Sequence, residues 1–167
     1  MYFRLITCEV LAREVYLCAA HSRNIIDIEL VEKGLHQKPE ILRAELQRRI
    51  EETRDGVYDA ILLGYGLCSN SVVGLVAPDT PLVVPRAHDC ITLYLGSRDR
   101  YDAQFTAHPG TFYYTVDYIE RGSDGSSEWA ALGTGVDTDM EAVYEEYVEK
   151  YGKDNADYLM EVMGAWS

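Results

Sequence analysis

Short apolar runs alternate with helical stretches along most of this chain, and that alternation limits the folds open to it. Tyr2 to Thr7 reads as a first strand, and a helical stretch opening at Cys8-Glu9 follows to about Ala20. Asn24 to Val31 is a second apolar run. After the loop Glu32 to Lys38, Pro39 suits the first turn of a helix that extends to about Thr53, with Glu45 and Arg49 spaced for an ion pair. Tyr58 to Leu63 is the third strand, followed by Gly64-Tyr65-Gly66-Leu67-Cys68-Ser69-Asn70 and a short helix at Ser71 to Val76. Leu82 to Val84 is the fourth, followed by Pro85-Arg86-Ala87-His88-Asp89-Cys90 and an apolar helix ended by Gly96. Arg98 to His108 is helix plus loop. Thr111 to Ile119, rich in tyrosine and β-branched residues, reads as a fifth strand.

A long helix is expected from Thr138, where Thr138 and Glu141 form a capping box, and a final helical stretch from Asp154 to Trp166. The order strand, helix, strand predicts an α/β fold: a doubly wound, mostly parallel sheet of about five strands with helices on both faces, Rossmann-like or flavodoxin-like. No repeat or linker divides the chain, so residues 1–167 are expected to form one domain.

Right-handed crossovers bring every strand-to-helix turn to one edge of such a sheet, the edge where α/β proteins bind ligands. Cys8, His36, Cys68, His88 and Cys90 all lie in such turns. Thiolate and imidazole together suit zinc or an iron–sulfur centre. Cys8, Cys68, Cys90 and His36 are therefore the candidate metal ligands. The helix starts beside the cysteines are expected to favour thiolate over thiol. No C-x-x-C knuckle occurs, so this inference rests on the fold. Cys18, inside a helix, reads as a small buried hydrophobe.

His88 is placed either to ligate or to orient a ligand and move a proton. Glu9, like Asp89, fits a first-turn helix role, with a part in catalysis or ligand orientation as the sharper alternative. Arg86 is suited to a bound carboxylate or phosphate, or to a surface acid. Gly66 permits close backbone approach to a cofactor, although Gly64-Tyr65-Gly66 lacks the third glycine of a dinucleotide fingerprint. Tyr113, Tyr114 and Tyr118 read first as strand core, with the lining of a pocket as the alternative.

The net charge of -13 repels nucleic-acid phosphates and anionic lipid, which sets both aside as partners. No apolar run is long enough to cross a bilayer, and the N-terminus lacks the basic and apolar regions of a signal peptide. A cytoplasmic location follows as the expectation, and there four cysteines point to metal or catalysis before disulfides. The apolar last helix is free to pack on the sheet or on a second copy of the chain.

Thr7-Cys8-Glu9-Val10-Leu11, Gly34-Leu35-His36, Gly64-Tyr65-Gly66-Leu67-Cys68, Pro85 through Thr92 and Pro109-Gly110-Thr111 together resemble a prokaryotic family known as domain of unknown function sixteen thirty-eight. The resemblance covers Met1 to about Ile119. Members are often encoded beside corrinoid-dependent methyltransferases, which implies a setting of methyl-group or one-carbon metabolism. Members usually carry glycine where Ser69 stands, and they tend to continue past Trp166, so a last element of the domain is expected to be missing here.

Three functions compete at this stage. The first is an enzyme in which zinc held by Cys8, Cys68 and Cys90, with His36 or His88 at the fourth place, activates a thiol or water for a small-molecule substrate. The second is a non-catalytic metal, corrinoid or small-molecule carrier serving a corrinoid protein or methyltransferase; the missing D-x-H-x-x-G signature weighs against its corrinoid form. The third is a metal-free cysteine enzyme with Cys68 or Cys90 as nucleophile and His88 as base.

Overall fold

The computed structural model describes residues 1–77, 79–121, 144–145, 148–149 and 152–164, without the side chains of His36, Gln37 and residues 159–164. Four strands build the sheet: β1 (Tyr2–Cys8), β2 (Ile25–Val31), β3 (Ala60–Gly64) and β4 (Leu82–Val83). Their order is β2-β1-β3-β4, and all three pairings are parallel. The register runs from Tyr2 opposite Ile25 to Cys8 opposite Val31 on one side of β1. On the other side it runs from Phe3 opposite Ala60 to Thr7 opposite Gly64. Thus β1 is central, and Ile6, Thr7 and Cys8 are buried in succession, as expected of an inner strand.

The helices are α1 (Ala12–His21), α2 (Pro39–Glu51), α3 (Cys90–Leu95), α4 (Arg98–Ala107), α5 (Val116–Glu120) and α6 (Lys153–Gly164). The first is preceded by a 3-10 turn at Glu9–Leu11, and another spans Lys33–Gln37. Leu42, Leu46 and Ile50 of α2 are fully buried, one turn apart on one face. They meet Ile6, Val31 and Ile61 in the same core cluster. Burying each such side chain contributes about 1.5–3 kcal/mol.

The expected Glu45–Arg49 pair forms at 2.6 Å and belongs to a chain of ion pairs. Arg49 reaches Glu29 of β2 at 2.7 Å, and Glu29 also holds Arg4 of β1. Arg48 and Arg49 together hold the Glu45 carboxyl down at about 2. No helix among the described residues is long and apolar enough to cross a membrane.

Several local expectations change. Thr111–Ile119 is not a fifth strand: Val116–Glu120 is helical, because the Thr115 hydroxyl caps it by accepting the Tyr118 N–H at 3.3 Å. Four strands make up the sheet among the described residues. Ser71 to Val76 is not a helix: Ser71 to Gly74 is a run of turns, entered through left-handed Cys68, Ser69 and Asn70 and ending at left-handed Gly74. Cys18 is exposed on α1, not buried. Most of the helix expected from Thr138, with its capping box, lies outside the described residues. Within it Tyr144, Glu145, Val148 and Glu149 are helical, and Gly152 N–H closes on the Val148 carbonyl.

Candidate functional site

The strand order reverses at β1: the chain leaves it toward β2 and returns on its other side at β3. The carboxyl ends of β1 and β3 therefore diverge into a crevice, the switch point at which open α/β sheets bind ligands. A cavity of about 140 Å³ lies there, lined by residues that include Cys8, Val10, Tyr65, Cys68, His88, Asp89, Cys90 and Tyr118. A wider groove of about 520 Å³ lies at the opposite strand ends, among Tyr2, Arg4, Asp27 and Tyr58, and carries no thiol.

Each wall is fixed by local chemistry. Cys8 ends β1 and is buried. After β3 the chain is laced to the loop after β4: Leu67 N–H donates to the Ala87 carbonyl at 3.0 Å and Cys68 N–H to the His88 carbonyl at 3.1 Å. Gly66 makes that lacing possible. A methyl group there would sit 2.6 Å from the Asp89 nitrogen and 2.8 Å from the His88 carbonyl carbon. The close approach that Gly66 permits is thus to the protein's own backbone, at the edge of the cavity.

Cys68, Ser69 and Asn70 take φ values of 42°, 57° and 65°. Three consecutive non-glycine residues in this region are costly, roughly 1–2 kcal/mol each. The turn is held by Ser71, whose N–H and hydroxyl both donate to the Cys68 carbonyl, at 3.1 and 2.6 Å. The glycine that the family resemblance expects at position 69 would relieve this strain. Ser69→Gly is expected to stabilise the chain by about 0.5–1 kcal/mol, the relief exceeding glycine's extra freedom in the unfolded chain. Urea unfolding midpoints measure this, and a lower midpoint would contradict it.

Asp89 organises the third wall with both oxygens. Oδ1 accepts the Thr92 N–H at 2.9 Å and so caps α3, which sets Cys90 at its first position. Oδ2 stands 3.0 Å from Nδ1 of His88. His88 is largely exposed at the mouth, and its ring stacks on Tyr101 of α4 at 5.8 Å. From the far side α5 brings Tyr118. Asp117 beside it is buried and accepts the Arg13 N–H at 2.9 Å, and the Lys33 ammonium donates to the Tyr118 carbonyl at 3.2 Å. Tyr94 of α3 donates its hydroxyl to the Val10 carbonyl, which ties α3 to the end of β1.

The other candidates fall elsewhere. Glu9 accepts the Lys33 N–H at 3.0 Å, stands 3.7 Å from Arg121 and is not part of the cavity lining. Arg86 is exposed and is not part of it either. His36 lies in the 3-10 turn Lys33–Gln37, and its side chain is outside the described residues. Tyr118 lines the cavity, as the alternative reading of it allows; its segment is not strand core, because the Thr115 cap turns it into a helix. Tyr65, Val10 and Ser69 also line it and are not among the sequence candidates. The signal for Tyr65 is its place between two glycines at a strand end.

The three thiols are the opposite of activated. Burial pushes Cys8 up to about 11, with Glu9 adding to the rise and Lys33 and the Tyr65 hydroxyl opposing it. Burial, and then the proximity of Cys8, pushes Cys68 up to about 12. Cys90 is raised further by burial and by both other sulfurs. The expected thiolates at helix starts are overturned for the metal-free chain. A one-turn 3-10 helix, a left-handed turn and a six-residue helix offer too little dipole to offset desolvation.

These directions set a pH dependence. A thiol raised above its ordinary value near 9 contributes stability that is complete below that value and is lost as pH rises through the folded one. The metal-free chain is therefore expected to lose stability between about pH 9 and about 12. Replacing the three cysteines by alanine would flatten this limb, as thermal unfolding against pH would show. An unchanged limb would contradict it. Among the described residues no group of three or more His, Cys, Asp or Glu is already arranged to hold a metal ion.

Fold and site together define an open, parallel α/β protein with a three-thiol cavity at its switch point. The sequence profile of the family described as a protein of unknown function, DUF1638, matches residues 30–165, so the chain belongs to that family. No curated protein and no solved structure matches the chain.

Proposed function

We propose that the cavity binds a thiophilic metal ion, zinc in the first instance, through Cys8, Cys68 and Cys90, and that the protein uses it to activate a small thiol or water. The observation that carries this reading is one small cavity lined by three cysteines, each at or after the end of a different strand of the sheet. Three thiols, one buried and two half-buried, raised by desolvation and by one another, are poor nucleophiles, which argues against a metal-free cysteine enzyme. A soft divalent cation removes the cause of that elevation, because it replaces three protons and screens the sulfurs from each other. The donor set fits zinc chemically. The side chains are not preset as a coordination shell, so uptake reorders them.

Bound there, zinc supplies Lewis acidity and lowers the pKa of a ligand at its open position. The chain's own residues do the rest. His88, held through Nδ1 by Asp89 and exposed at the mouth, carries the proton between that ligand and solvent. Val10 and Tyr118 keep the cavity small and mostly apolar, which restricts the substrate to a few heavy atoms. Methyl-group or one-carbon metabolism, with a corrinoid protein or methyltransferase as partner, is the setting the family resemblance supports. Right-handed crossovers on either side of β1 support α1 and α2 on opposite faces of the sheet.

Zinc titration of the anaerobically purified chain against a chromophoric chelator tests the reading. One ion per chain, with three of the four cysteines protected from alkylation, is the expected result. No uptake at micromolar zinc would refute it.

A further inference from the structure

One buried polar atom at the site lacks a well-formed hydrogen bond in the metal-free chain. The Tyr65 hydroxyl is buried, with the residue only 3% exposed, and it has no hydrogen-bond partner of good geometry, although it lies near enough to the Cys8 thiol to act on it. An unmet buried hydroxyl costs roughly 1–3 kcal/mol, so its retention needs a reason. Its place in the fold supplies one. The β1–β3 ladder ends with Thr7 opposite Gly64; Cys8 is the next residue of β1, and Tyr65 directly follows β3. Both line the cavity. The glycines on either side of Tyr65 hold it there by backbone packing: Gly64 against Thr7, and Gly66 against His88 and Asp89.

We propose that Tyr65 is a positioning residue whose hydroxyl donates to the Cys8 sulfur once that sulfur is a metal-bound thiolate. This rests on the metal-site reading above and deepens it. A thiol sulfur is a weak acceptor, so the phenol stays unsatisfied while Cys8 keeps its proton. On metal uptake Cys8 gives that proton to solvent and becomes a strong, charge-assisted acceptor, while Tyr65 keeps its own. The hydroxyl is thus satisfied in the metal-loaded chain and orphaned in the free one. It also orients one of the three ligands, as groups around a metal's ligands do generally.

Tyr65→Phe removes the hydroxyl and keeps the ring. Its effect should differ in sign between the two forms. The metal-free variant is expected to be as stable as the native chain or more so, since an unmet polar atom has gone. Its affinity for zinc is expected to fall by roughly 10–100-fold. With cobalt(II) as the probe, the thiolate-to-metal charge-transfer band should move to lower energy, which a purely structural role would not cause. Equal zinc affinity and an unmoved band in Tyr65→Phe, with the native chain binding normally, would overturn this inference alone. No metal uptake by the native chain would overturn the metal-site reading, and this one with it. Should the variant fail to fold, proton NMR of the native chain decides. A Tyr65 hydroxyl signal that appears downfield and exchanges slowly on zinc addition supports the inference, and its absence refutes it.

Discussion

Cys68→Ala is expected to lower the affinity of the chain for zinc by roughly a hundredfold to several hundredfold. Structural zinc sites are worth roughly 10–16 kcal/mol over four ligands, so one thiolate is worth about 2.5–4 kcal/mol. The metal-free stability should change little, because Cys68 is only partly buried and alanine leaves its neighbours' hydrogen bonds in place. Cys18→Ala is the matched control. Its sulfur is exposed on α1, away from the cavity lining, and its loss should leave zinc affinity untouched. Competition with a chelator of known affinity measures both. Equal losses for Cys18 and Cys68, or none for either, would mean that the metal sits elsewhere.

Gly66→Ala should act through the backbone. The added methyl would meet the Asp89 nitrogen at 2.6 Å and its α-carbon at 2.7 Å, both main-chain atoms that cannot swing aside. The loop after β3 must then part from the loop after β4, which strains the Leu67–Ala87 and Cys68–His88 hydrogen bonds. A loss of about 2–3 kcal/mol is expected, as for overpacking elsewhere in protein interiors. Zinc affinity should fall as well, since the same loops carry Cys68 and Cys90. Gly110→Ala, where an added methyl meets nothing within 4 Å, should cost far less. A Gly66→Ala chain as stable as the Gly110→Ala chain would show that the loops separate without strain.

The parts of this fold legible in the sequence are those set by simple burial. Ile25 to Val31 and Ala60 to Leu63 are apolar runs too short for helices and bounded by turn residues, and both are strands. Pro39 and Gly96 mark a helix start and a helix end. Errors arose where a local polar contact outweighed composition. Thr111 to Ile119 has the tyrosines and β-branched residues of a strand, yet the hydroxyl of Thr115 turns its second half into a helix. Cys18 sits at a helix position that nothing covers, so its chemical preference for burial says nothing of its place.

Of the candidate site, the sequence showed which elements meet at the sheet edge, because strand ends follow from topology. It did not show which side chains line a common space. Glu9 is one residue from Cys8 yet is taken up by Lys33 and Arg121. Tyr65 lies three residues from Cys68 and lines the same cavity. Nor could it show the state of the thiols. That depends on depth of burial and on sulfurs distant in sequence, and both outweigh the short helices that suggested thiolates.

The most direct measurement is zinc K-edge X-ray absorption on the zinc-loaded chain. Three sulfur scatterers at about 2.3 Å, with one lighter oxygen or nitrogen neighbour, are the predicted first shell. A shell of nitrogen and oxygen alone, or with a single sulfur, would contradict a metal held by Cys8, Cys68 and Cys90.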